Sequence, residues 1–387
     1  MTGVQTCALP IYLNEKYPDK SILIIDKESD VAKHASGRNS GVLHAGLYYA
    51  TDSLRAKYCV TGNKELRAYS KTKNIPLNEC GKVVVASNDN EVAPLQALYK
   101  RALANGVNVQ LVDQKELEEI EPTAKTTVWA IYSPDTASFY HLGICNSLRE
   151  DLLSVNVKFK FNTAFISKLS DNSVQTNHGV ISYNILVNCA GMYADKIAQN
   201  FNLIHHYTLI PFKGVFLYAE DLVGNYSKHI YPMPDQKLKL LGVHFSPEYN
   251  GRIKIGPTAV PCLSRENYFW LSNLRFNEMK DVIASEFRLF ITNDFNFRDL
   301  AFAEMRKQTK TGLIKCAANL VKDIDQFKFT NWGTPGIQPR LYDMEKQEIL
   351  DDFLVVTGVN SVHIVNSVSP AFTASFAFSK YVVDTYL

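Results

Sequence analysis

One histidine stands inside a run of small and polar residues, Ser36-Gly37-Arg38-Asn39-Ser40-Gly41-Val42-Leu43-His44-Ala45-Gly46-Leu47-Tyr48-Tyr49. Glycine has no Cβ, so such a segment lets backbone amides come close to a phosphate or a ring. Ser36, Asn39, Ser40 and Gly41 are the cofactor-facing candidates within it. Upstream, the apolar run Ser21-Ile22-Leu23-Ile24-Ile25 closes in Asp26. An acid that closes a buried strand is where a Rossmann-type unit hydrogen-bonds the adenosine ribose. The two features suggest the second strand of a dinucleotide-binding unit and a loop that presents one titratable ring to the cofactor.

The element that should precede them is missing. A glycine fingerprint lies about 20 residues before the ribose acid. Counting back from Asp26 places it at Met1, Gly3 and Thr6, and only Gly3 complies. Residues 1–11 show neither an alternating nor a helical pattern, nor the basic start and apolar core of a signal peptide. They read as a non-native leader on a frame that lacks its first strand and glycine loop.

Further along, Thr51 or Asp52 is expected to cap a helix reaching about Lys73, and residues 90–105 and 141–153 read as helices. Ile185-Leu186-Val187-Asn188-Cys189 reads as a buried strand whose small end, Ala190-Gly191, suits close approach to phosphates. Residues 207–260 are aromatic and alternating, which suggests a mainly antiparallel sheet, and residues 266–325 read mostly as helix. Two strands near the C-terminus lead to Ser369-Pro370-Ala371. There Ser369 is expected to cap a closing helix with Pro370 at its first position. The fold class is α/β: a dinucleotide-binding domain (residues 12–80, 141–205 and 333–387) interrupted by an α+β substrate domain (81–140 and 206–332).

With 387 residues, 46% hydrophobic and 21% charged, the chain is long enough for two interlocked domains. A net charge of +2 without a basic block argues against nucleic acid. No apolar run approaches the roughly 20 residues of a membrane span. Seven scattered cysteines without a CxxC pair argue against zinc and disulfides and for a reducing, cytoplasmic compartment.

From Tyr12 onward the chain resembles FAD-dependent oxidoreductases of the D-amino-acid-oxidase-like superfamily, and within it the L-2-hydroxyglutarate dehydrogenases/oxidases. The most specific stretch is residues 37–49, continuing through Ser53-Leu54-Arg55-Ala56-Lys57. Supporting pieces are Asn78-Glu79-Cys80-Gly81-Lys82, Pro211-Phe212-Lys213-Gly214, Tyr231-Pro232-Met233-Pro234-Asp235, Leu241-Gly242-Val243-His244, Gly256-Pro257-Thr258-Ala259-Val260, Asp351-Asp352-Phe353-Leu354 and Asn366-Ser367-Val368-Ser369-Pro370-Ala371. The chain departs from the family in three places. The glycine fingerprint is absent; Lys213 stands where the family usually has arginine; and Gly336-Ile337-Gln338-Pro339-Arg340 replaces a Gly-[Val/Ile]-Arg-Ala-Gln pattern. In an extended segment positions 338 and 340 share a face, which lets Arg340 act for the missing arginine.

The resemblance implies FAD as cofactor, L-2-hydroxyglutarate as substrate, and hydride transfer from its C2 to flavin N5. Such a reaction needs a base for the hydroxyl proton, cations for two carboxylates and a dry cavity over the ring. His44 is the first choice for the base because histidine titrates near the working pH; His244, between Val243 and Phe245, is the second. Lys213 and Arg340 are the candidate carboxylate clamps, with Tyr49 and Tyr231 as hydroxyl donors. The resemblance also places the backbone of Phe165 against adenine, and the closing helix against the flavin's pyrimidine edge. Electrons are expected to pass to a quinone or to oxygen, at the surface of a membrane if the acceptor is a quinone. Two other readings fit the same residues: an amino-acid or amine oxidase on this fold, and a non-catalytic chain that cannot hold FAD.

Overall fold

The apolar run that ends in Asp26 becomes a strand because its alternate residues are covered on one side. In the computed structural model, which describes residues 4–219, 222, 224–234, 242–269 and 272–387, Leu23–Ile25 pairs in parallel with Lys158–Lys160. The helices Leu54–Thr72 and His141–Ser154 lie between them in sequence. A second parallel pair joins Leu186–Asn188 to Ser361–Asn366, with Leu354–Gly358 antiparallel on the far side. Asp235 and Leu241 of the motifs above fall outside the described residues.

Residues 1–11 were expected to lack a helical pattern, yet Val4–Lys16 is a helix with Pro10 inside it. Proline removes one hydrogen bond from the ladder. Burial compensates: Val4, Cys7, Ala8 and Leu9 are all buried, and the helix packs against Ser375–Tyr386 and His141–Ser154. Tertiary packing, not local pattern, decides this element.

The helix Leu54–Thr72 is capped by Ser53, one residue later than Asp52, through a hydrogen bond from the Ala56 amide. The Asp352 carboxylate also accepts from the amides of Leu54 and Arg55, at 2.8 and 3.0 Å. That helix packs directly on the chain near Thr373. A Cβ on Gly62 would sit 2.4 Å from the Thr373 carbonyl oxygen, so only glycine fits there.

The substrate-side layer is an eight-stranded sheet. It is mixed rather than purely antiparallel, because Lys82–Val85 runs parallel to His229–Pro232 and antiparallel to Trp129–Ser133. Beside it, Tyr207–Gly214 and Gly336–Asp343 form an unbroken antiparallel ladder in which Lys213 faces Ile337 and Ile210 faces Arg340. The helices Phe276–Thr292, Phe297–Arg306 and Lys310–Ala318 fill the expected helical stretch.

The closing helix differs from expectation. It spans Ser375–Tyr386, and residues 369–374 are turns held by bonds from the Ala371 amide to Val368 and from the Ala374 amide to Pro370. Ser369 is therefore not its cap, and the Ser369–Pro370 peptide is cis.

Candidate active site

A cleft opens where the parallel strands end. Asp26 and Ser36 line it, with Gln5, Gly191, Arg265 and Tyr268 among their neighbours. Asp26 is buried, and its Oδ1 accepts from the Glu28 amide at 2.8 Å. Ser36 Oγ accepts from the Val4 amide at 2.9 Å, which seats the N-terminal turn of Val4–Lys16 at the cleft. First-turn amides carry partial positive charge and suit a phosphate. Gly191, with φ +55°, turns the chain there in a way a side chain would strain. An acid, a helix N-terminus and a glycine turn together fit a dinucleotide.

The loop that follows is tied down residue by residue. Asn39 Oδ1 accepts from the Gly41 amide and Asn39 Nδ2 donates to the Ser36 carbonyl. The Ser40 carbonyl accepts from Lys254 Nζ at 2.9 Å. The Ala190 amide donates to Asn188 Oδ1 at 3.0 Å. Of the closing turn, the Ala371 carbonyl accepts from Gln5, itself a cleft residue. Phe165 stands apart: it stacks on Phe201 and is absent from the cleft lining.

His44 sits at the far end of this loop, 8% exposed. Its amide donates to Thr373 Oγ1 and its carbonyl accepts from Asn63 Nδ2, which fixes the backbone on both sides. Its Nδ1 is buried without a hydrogen-bond partner among the described residues. Burial first, then Lys82, His244 and Arg55, push the imidazole well below its usual range. It is therefore the neutral, proton-accepting form at neutral pH.

His244 lies in the same neighbourhood and stacks on Tyr231 with ring centroids 3.8 Å apart. Its Nδ1 is 2.9 Å from the Gly242 carbonyl, so Nδ1 carries the hydrogen and buried Nε2 is a lone pair with no partner among the described residues. Burial holds it down at about 3. Burial keeps both imidazoles neutral, so proton affinity does not separate them; His44 is set apart by its place at the end of the loop that lines the cleft at Ser36.

The candidate clamps do not converge. Lys213 faces Ile337, and Arg340, three positions on in an unbroken ladder, points to the opposite face of the sheet. Gln338 and Arg340 do share a face, and Arg340 is buried 3.9 Å from Asp351. Tyr49 lies buried beneath the Arg55 guanidinium, 4.4 Å from its ring centroid.

Two residues join the cluster that the motifs did not single out as site residues. Lys82 opens the strand Lys82–Val85 and is fully buried, and His229, its parallel partner, is likewise. Ser138 Oγ donates to the Pro247 carbonyl, so it accepts from His229 Nε2–H and leaves Nδ1 a buried lone pair. The signal available in sequence was a lone cation opening the apolar run Val83-Val84-Val85-Ala86.

The family model for FAD dependent oxidoreductases matches residues 3–385. A protein of Indibacter alkaliphilus, L-2-hydroxyglutarate dehydrogenase, is 31% identical over 99% of this chain and 96% of its own length. The mitochondrial L-2-hydroxyglutarate dehydrogenase of Mus musculus is 30% identical over 95% of this chain and 83% of its own. Among solved structures, the FAD-bound L-alpha-glycerophosphate oxidase of Mycoplasma pneumoniae superposes with a TM-score of 0.77 at 21% identity, covering 99% of this chain and 92% of that one. Glycine oxidase from Geobacillus kaustophilus superposes with 0.73 at 17% identity, covering 99% and 91%. These likenesses establish the mixed α/β fold.

Proposed function

The chain belongs to the family of FAD dependent oxidoreductases, and on that premise we propose that it oxidises L-2-hydroxyglutarate to 2-oxoglutarate. One observation carries the reading. The loop that lines the dinucleotide cleft at Ser36 ends at His44, among buried imidazoles and a buried lysine each of which leaves one nitrogen without a partner among the described residues. Buried polar groups without partners are few in proteins, so their concentration here marks a ligand site.

Asp26 would hold the adenosine ribose of FAD, and the first turn of Val4–Lys16, with Gly191, would receive its pyrophosphate. Bound FAD supplies the two-electron acceptor. His44 Nδ1 takes the proton from the C2 hydroxyl as the hydride leaves C2, and the carbinol becomes a ketone. Arg340 lends its charge to the carboxylate beside C2, and Tyr49 and Tyr231 shape the dry walls. Lys213, on the other face of its ladder, lies outside this set.

The test is a substrate panel with the FAD-loaded protein and a soluble dye as acceptor. L-2-hydroxyglutarate should exceed its D form, glycerol phosphate, glycine and L-proline by about 100-fold or more in kcat/KM, the gap expected when a site's polar groups go unmatched by the wrong substrate. Preference for an amino acid would overturn the assignment.

We propose that the electrons pass to a quinone or to oxygen, and that a quinone would be met at a lipid surface. Phe276, Phe287 and Ile291 of Phe276–Thr292 are exposed at 79%, 65% and 63%, and the Phe290 and Phe302 rings, 6.2 Å apart, extend this apolar row to the next helix. Exposed aromatic and aliphatic side chains in one row suit the interfacial layer of a bilayer. None of the described helices is long and apolar enough to cross one. On flotation with zwitterionic vesicles the protein should rise with the lipid, and Phe287→Glu with Ile291→Glu should cut the bound fraction about tenfold, leaving dye-linked turnover intact. A wild-type protein that stays with the unbound fraction contradicts this placement.

A further inference from the structure

Lys82 is wholly buried, yet no ion pair or hydrogen bond to its Nζ exists among the described residues. The other buried cations are answered. Lys254 holds Glu248 and the Ser40 carbonyl, Arg265 holds Asp195, and Arg340 faces Asp351. Lys82 Nζ instead lies between two aromatic faces, 4.8 Å from the ring centroids of both Tyr48 and Tyr231. Cation–π contact offsets only part of what it costs to bury a charge. An ammonium held this way is prepared for an anion.

Position says which anion. The cleft lining contains no residue of the eight-stranded sheet, whereas Lys82 lies in the middle of that sheet. His44, at the end of the loop that lines the cleft at Ser36, is close enough to Lys82 and Arg55 to feel both charges. A substrate whose C2 hydroxyl meets His44 is thereby within the reach of the Lys82 charge.

We propose that Lys82 receives the distal carboxylate of a dicarboxylic 2-hydroxyacid and sets the preference for a second carboxylate. This rests on the function proposed above and adds its specificity residue. Without an anion, burial holds the Lys82 ammonium down at about 7, with Cys59 and Cys80 pulling slightly the other way. His44, His229 and His244, all held neutral by burial, and the phenols of Tyr48 and Tyr231 are the other titratable groups that face it. A lowered lysine loses its charge as pH rises through that value, so wild-type kcat/KM should fall above about pH 7. For the same reason, binding an anion at pH 8 should take up a proton.

The experiment compares FAD-loaded wild type with Lys82→Met. Methionine keeps the length of the side chain and removes an unanswered charge, so the fold is retained; flavin content and circular dichroism check this. Lys82→Arg, which keeps the cation, is the second variant. Calorimetry with glutarate and with pentanoate as probes should show glutarate binding the wild type more tightly by about tenfold or more. That gap should vanish in Lys82→Met and persist in Lys82→Arg. Glutarate binding should take up a proton in wild type and not in Lys82→Met. On L-2-hydroxyglutarate, kcat/KM should fall about 100-fold in Lys82→Met, while (S)-2-hydroxypentanoate changes little.

Equal losses on both substrates, an intact glutarate preference in Lys82→Met, or a wild type indifferent to the second carboxylate would each overturn the proposal. A glutarate preference that Lys82→Met abolishes, in a protein that does not oxidise L-2-hydroxyglutarate, keeps Lys82 and removes the function. Oxidation that Lys82→Met leaves untouched does the reverse.

Discussion

Replacing His44 by alanine lowers kcat about 10³-fold and leaves the flavin content unchanged, because the variant loses its proton acceptor while the loop keeps its backbone ties. Those ties run through the His44 amide and carbonyl to Thr373 and Asn63, and neither involves the ring. The pH profile carries a second mark. A base must be neutral to accept a proton, and burial with Lys82, His244 and Arg55 holds the imidazole well below 6.5. Protonation on the acid side therefore begins only well below that value. Wild-type kcat/KM should show no acid decline as pH falls from 7 through 6.5, its loss on the acid side being displaced to more acid solution. An acid limb centred near 6.5, or a His44→Ala variant within about tenfold of wild type, contradicts the assignment of the base.

The largest effect on stability is expected at Asp195. Its carboxylate receives both terminal nitrogens of Arg265, at 2.6 and 2.7 Å, and the Leu209 amide at 3.0 Å. Both partners are buried, with 0% and 2% of the side chain exposed. Asp195→Ala leaves a guanidinium buried beside the cofactor cleft without its counter-charge and an amide without its acceptor. Removing one partner of a buried ion pair costs about 3–5 kcal/mol. Urea titration of the variant should show a loss of that size, and Asp195→Asn, which keeps an acceptor for the amide, should lose less. A loss under about 1 kcal/mol would mean that water reaches Arg265 and the pair is effectively a surface one.

The features that were legible in sequence are those whose cause is local. An acid closing an apolar run needs only its own neighbours to be recognised, and Asp26 does end a parallel strand at the cleft. The glycine- and serine-rich loop is held by hydrogen bonds between residues a few positions apart, such as Asn39 to Gly41 and Ser36. What was not legible depends on partners distant in sequence. The helix Val4–Lys16 carries a proline that hides its pattern, and contacts with Ser375–Tyr386 at the other end of the chain hold it. Ser369-Pro370 has the local form of a helix start, but the chain spends residues 369–374 in turns first. The divergence of Lys213 from Arg340 follows from the register that sets Lys213 opposite Ile337, which no spacing within either segment reveals. Lys82 reads as the polar margin of a strand until His229–Pro232 and the tyrosines close over it.

The most direct test of the proposed reaction is the visible absorption spectrum of the FAD-loaded protein, washed of excess cofactor, before and after anaerobic L-2-hydroxyglutarate. The flavin bands should bleach with this substrate, and the D form should leave them unchanged. Bands that persist with the L form contradict the proposed reaction.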